Sequence, residues 1–149
     1  MNPRPTSPPK LVALCLTLLL AELASPAATL FVWPDSPSPT PPYASWGEAA
    51  HTIQEAIAAS QTNDLVLVTN GIYRTGGVRV SGTLTNRIAL TRPVVVQSAN
   101  GPEVTLIEGA EAVAGGNGVG AIRCAYVGGN AMLVGFTLTN GHTLTTTSY

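Results

Sequence analysis

The chain has 149 residues, a formal net charge of −1, only 10% charged side chains, and 15 glycines and 12 prolines. A near-neutral chain lacks the basic footprint of a nucleic-acid binder, so no nucleic-acid partner is expected. Its two cysteines, Cys15 and Cys124, fall on opposite sides of the cleavage point argued next, which excludes an internal disulfide in the mature chain.

Arg4 and Lys10 precede an apolar run over residues 11–21, and Ser25 and Ala27 put small residues at the two positions a signal peptidase reads. That order predicts a secretory signal peptide over residues 1–27, cleaved before Ala28. A membrane span needs about 20 apolar residues, and Glu22 ends this run too early, so no stable span is expected in the mature chain. Leu14 stands before Cys15 where a lipoprotein signal wants a small residue. Residues 28–149 keep five Arg, no Lys and seven carboxylates, a net charge of −2.

Residues 34–42 hold five prolines, which excludes helix and central strand and predicts an extended surface loop. Phe31, Val32 and Trp33 before it, and Tyr43 and Trp46 after it, read as anchors that pin both ends. A helix is predicted over 46–60, with Ser45 as N-cap and Glu48 completing a capping box. Trp46, Ala50, Ile53 and Ile57 form its buried stripe, and Glu48, His51 and Glu55 its wet face.

After Asp64 apolar runs recur: Leu65-Val66-Leu67-Val68, Val94-Val95-Val96, Val104-Thr105-Leu106-Ile107, Met132-Leu133-Val134 and Phe136-Thr137-Leu138-Thr139. Turn formers separate them, notably Asn70-Gly71, Asn100-Gly101, Gly128-Gly129-Asn130 and Asn140-Gly141. Many short strands allow a small β-sandwich, a barrel or a β-solenoid. Three features favour the solenoid. Val94-Val95-Val96 is too continuously apolar for a sheet with one wet face. The block 94–109 is echoed by 132–141, each an apolar triplet, a Thr-containing strand and a glycine, Gly109 or Gly141. An amphipathic helix just before the first strand also supplies the cap that a solenoid end needs.

The order Tyr43, Ser45-Trp46, Ala49-Ala50, Ile53-Gln54, Ala56-Ile57, then Asp64-Leu65-Val66-Leu67-Val68 and Asn70-Gly71-Ile72-Tyr73, resembles the N-terminal opening of bacterial right-handed parallel β-helix proteins of the pectate-lyase-like superfamily. Thr105-Leu106-Ile107-Glu108-Gly109 and the run Gly135-Phe136-Thr137-Leu138-Thr139-Asn140-Gly141 are similar to its coil strands. The resemblance spans residues 31–143 and is informative about fold rather than activity, since the superfamily holds lyases, hydrolases, epimerases and adhesins.

The chemistry such enzymes use is not legible. No Asp follows Asp64, whereas an inverting hydrolase pair needs two carboxyls about 6.5–9.5 Å apart. Only Glu103, Glu108 and Glu111 lie late enough to help bind Ca²⁺, which takes about 6–8 oxygens. Arg74, Arg79, Arg87, Arg92 and Arg123 read as solvated loop charge, four of them in a loop-rich stretch, with a lyase base the sharper alternative. His51 and His142 lack partners at metal-ligand spacing. Gly115-Gly116-Asn117-Gly118-Val119-Gly120 neither follows a strand nor opens a helix, so it is read as a loop and not a phosphate cradle. Phe31, Trp33, Tyr43, Trp46 and Tyr73 are read as sealing the first coil, with a sugar-stacking platform the alternative. Cys124 is read as a buried small hydrophobe.

The expectation is a mainly β fold, a right-handed parallel β-helix with an N-terminal capping α-helix. Residues 28–64 form the N-terminal strand, Pro-rich loop and cap, and 65–149 the first coils, cut short at the C-terminus. The expected role is a secreted or cell-surface scaffold of a protein that binds or processes polysaccharide, with downstream coils as partner. No catalytic residue, cofactor or metal is assigned to this segment. A polysaccharide lyase or hydrolase and a surface adhesin are the competing readings.

Overall fold

The structure, a computed structural model, describes residues 26–145, so the signal segment read from the sequence lies outside the described residues apart from Pro26 and Ala27. The strands are β1 Thr29–Val32, β2 Leu65–Val68, β3 Gly71–Tyr73, β4 Val78–Arg79, β5 Thr85–Leu90, β6 Val95–Ser98, β7 Thr105–Glu108, β8 Ile122–Val127, β9 Met132–Val134 and β10 Thr137–Thr139. Among the described residues the one α-helix, α1, is Ile53–Ala59.

The strands form three open sheets: a first of order β1-β2-β6-β9, a second of order β3-β7-β10, and a third of order β4-β5-β8. Every pairing is parallel except β4 with β5. From β2 onward, the short antiparallel β4 aside, the chain visits the first, second and third sheets in turn and repeats. Each return lands beside the strand laid down one circuit earlier. The fold is therefore mainly β with parallel sheets, and none of the sheets closes into a barrel.

Side chains stack in register through these circuits. Leu30 lies opposite Val66, Val66 opposite Val96 and Val96 opposite Leu133. In the second sheet Tyr73 pairs with Ile107, and in the third Ile88 pairs with Ala125. The first three of the first-sheet ladder, together with Tyr73, Ile107 and Ile88, are buried in one core with Ile53 and Ile57 of α1. Each such side chain contributes about 1.5–3 kcal/mol on burial. Where the turn between the first and second sheets recurs, Asn100 Nδ2 donates to Asn70 Oδ1 at 2.6 Å.

The helix starts later than the sequence suggests. Trp46–Glu48 is a 3₁₀ turn, and the α-helix begins only at Ile53 behind Thr52. The backbone between them is taken by β1: Ala50 N donates to Phe31 O and Trp33 N to Ala50 O, both at 2.9 Å. Ser45 Oγ does reach Glu48 Oε2 at 3.0 Å, but the working capping box is Thr52 with Glu55. Ala50, Ile53 and Ile57 are buried as the stripe requires, whereas Trp46 is 38% exposed. The Pro-rich loop is pinned as expected: Phe31 N donates to Tyr43 O, Ser38 N to Gly47 O and Thr40 N to Glu48 O.

Four strands, β3, β4, β5 and β8, occupy stretches read as turn, loop or featureless apolar run. Asn86 and Arg87 argue locally against a strand, yet β5 is buried from Asn86 to Leu90 and pairs along its length with β8. Pairing and burial override local propensity there. The echo between 94–109 and 132–141 is real but one residue out of phase, since Val95 faces Met132 and Leu106 faces Thr137. Gly109 sits where a Cβ would lie 2.4 Å from Ile122 O and 2.5 Å from Asn140 O, so only glycine lets these backbones meet.

Candidate functional site

Strand alternation separates the first sheet into two faces. Leu30, Val32, Val66, Val68, Val96 and Ser98 are buried. The opposite face presents Phe31, Leu67, Gln97 and Val134 in one row and Thr29, Leu65, Val95 and Met132 in the next. No charged residue occurs in either row. Trp46 lies against Phe31 with ring centroids 4.7 Å apart and planes tilted by 60°, extending the apolar strip at the β1 end. Of the five aromatics read as a group, the structure thus joins Phe31 and Trp46 on this face and buries Tyr73 in the core, with Tyr43 packed at the core's margin. Tyr73 and Tyr43 thus pack on the core, whereas Trp46 is 38% exposed.

Among the described residues no three His, Cys, Asp or Glu side chains gather as a metal site would require. The one contact of salt-bridge length among them brings His142 Nε2 to 3.8 Å from Glu111 Oε1, and the same imidazole nitrogen lies 3.1 Å from Asn140 Oδ1. Glu111 Oε2 accepts from Gly116 N, so this pair fastens the glycine-rich loop 110–121 to the segment after β10. The loop reading of residues 115–120 stands, since they lie between β7 and β8. His51 Nε2 sits 3.0 Å from Ser36 O beneath the Pro-rich loop.

Arg87 corrects the reading of the arginines as solvated charge. It is on β5, 6% exposed, and donates to the carbonyls of Gly76, Glu108 and Gly109. Burial lowers its pKa, partly offset by Glu108. It joins segments of two successive circuits. Arg92 likewise donates to Ser60 O. Arg123 is partly buried, and its Nε and the Oδ1 of its register partner Asn86 are both without hydrogen-bond partners. Cys124 is buried, as expected, with Sγ donating to Thr139 O at 3.1 Å.

A cleft of about 30 Å³ lies between the start of α1 and the third sheet, lined by Thr52, Gln54, Tyr73, Thr75 and Arg87 among others. That volume suits about one or two waters and not a sugar ring. At its wall Tyr73 donates to Thr69 O at 2.9 Å, and burial with nearby Asp35 pushes its phenol well above the usual range. Burial followed by Glu55 also raises Tyr43. The Tyr73 phenol is therefore a neutral donor to Thr69 O.

No protein-family model matches the chain, and no curated protein or solved structure is significantly similar to it. Among the described residues no helix is long and apolar enough to cross a membrane.

Proposed function

We propose that the chain is a segment of an exported, right-handed parallel β-helix scaffold that binds polysaccharide along the uncharged face of its first sheet. The observation that carries the reading is the cyclic succession of parallel strands with side chains in register. Stacked circuits of this kind are the principle of a solenoid, and strand-crossover-strand connections are right-handed in about 98% of cases. Such a frame offers a long flat surface, and here that surface is apolar, uncharged and flanked by the Phe31–Trp46 pair, features that suit the apolar faces of sugar rings.

Two parts of the proposal concern the chain's ends. Residues 1–27 act as an export signal, placing the protein in the cell envelope or outside the cell. The last strand of each sheet, β8, β9 and β10, takes further coils of the same protein, because Met132, Leu138 and Val127 are about half exposed there. None of these edge strands carries a proline, and β9 and β10 carry no charge, which invites such pairing.

Co-sedimentation with insoluble polysaccharides, neutral and acidic, tests the reading. Binding to at least one, lost in Leu67→Asp and weakened in Trp46→Ala, is expected. Absence of binding to all of them, or release of unsaturated sugar products that stops on Arg123→Ala, would overturn it.

A further inference from the structure

We infer that cleavage before Ala28 creates the counter-charge for a buried carboxylate, the new Ala28 ammonium pairing with Asp64, so that processing fastens β1 to β2. This rests on the export reading of residues 1–27.

Asp64, immediately before β2, is 5% exposed. Its Oδ2 accepts from Gln61 N at 2.6 Å and its Oδ1 from Ala28 N at 2.8 Å. Aspartate is almost never so buried without an opposite charge. Among the described residues, however, no Lys, Arg or His nitrogen pairs with it, the one contact of salt-bridge length being His142 with Glu111. The nitrogen that touches Asp64 belongs to the residue that the signal-peptide reading makes the first of the mature chain. Two independent lines, one from residues 4–27 and one from the geometry at residue 64, meet at that atom.

The chemistry is a hydrolysis. Water cleaves the Ala27–Ala28 peptide bond, its oxygen joins the Ala27 carbonyl to give a carboxylate, and Ala28 keeps an amine that takes up a proton. Before cleavage Ala28 N is a neutral amide with one hydrogen to donate. Afterwards it is an ammonium with three, and its positive charge adds a Coulomb attraction to the carboxylate that the amide lacked. The backbone need not move. Ala28 O already accepts from Leu65 N at 2.9 Å, so the residue is held on both sides in the position the ion pair requires. Ala28 itself is exposed, which leaves the scissile bond open to a peptidase, while its partner is not.

Residues 28–149 contain no lysine, so the α-amine is their sole primary amine and can be followed by acylation without interference. The protein recovered after export is identified by intact mass and then labelled at pH 7 with an N-hydroxysuccinimide acetate. A pairing that raises the amine's pKa by about one unit cuts its free-base fraction about tenfold, so labelling should be about tenfold slower than in Asp64→Asn. Should that variant fail to fold, a chain with one extra glycine before Ala28, which displaces the amine by a residue, should label fast and serves the same comparison. A product that begins at a residue other than Ala28 overturns the cleavage position and the inference together. A product that begins at Ala28 but labels at the same rate in all forms leaves the export reading standing and overturns the ion pair, with Asp64 then serving only as an acceptor for backbone amides.

Discussion

The two ends of the stack differ sharply. At the β1 end α1 lays Ile53, Ala56 and Ile57 into the core and Gln54 Oε1 accepts from Ala89 N, on the part of β5 that lies beyond its short pairing with β4 at Thr85 and Asn86. At the β8–β10 end the corresponding side chains are open: Leu138, stacked on Ile107, is 51% exposed, whereas Ile107, one strand earlier, is fully buried. The same ladder position thus changes from core to surface in a single step. A repeated circuit buries what lies between neighbours and cannot bury its own last layer. A dissimilar element such as a helix can cover an end because its backbone hydrogen bonds are internal.

The largest effect that would break this contrast is at the covered end. Ile53→Asp should cost about 3–5 kcal/mol by placing an unpaired charge in an apolar site, measured by denaturant unfolding. Leu138→Asp, a change of the same kind at the open end, should cost less than about 1 kcal/mol. Equal costs would mean that the open end is covered in solution.

Next in size is Arg87→Met, which removes the donors for three carbonyls, that of Gly109 buried, and should cost about 2–4 kcal/mol. Native-state hydrogen exchange should place the loss in β5, β7 and β8, and not in α1.

A smaller effect returns to the cap. Glu55 completes the Thr52 capping box, with Thr52 N donating to Glu55 Oε2 at 2.9 Å. Glu55→Lys should therefore cost about 0.5–1 kcal/mol rather than nothing, by the same unfolding assay. A silent substitution would show that the cap contributes little to holding the covered end.

The smallest is a pH effect confined to the β1 side of the core. Because the Tyr73 phenol is raised, its contribution is fully present below the unfolded value of about 10 and is lost as pH climbs toward the folded one. Stability should fall above about pH 10 in the parent and fall less steeply in Tyr73→Phe, which also forfeits the bond to Thr69 O, worth about 1 kcal/mol at neutral pH.

What the sequence determined by itself is local or periodic. The run Leu65-Val66-Leu67-Val68 is β2 to the residue, because four branched side chains in succession have no better use than a strand buried among others. Five prolines in nine residues specified the loop at 34–42, and the apolar stripe of Ala50, Ile53 and Ile57 specified which side of the helix enters the core. What only tertiary structure decided depends on partners distant in the chain. The helix begins at Ile53 because β1 claims the backbone of Ala50 first. Arg87 is buried because β5 is paired with β8 and carbonyls of two circuits converge on it, which no residue near it in sequence announces. The one-residue offset between the echoing blocks has the same origin. In a strand of period two, the sequence shows that two runs are alike, but the contact between them chooses which residue meets which.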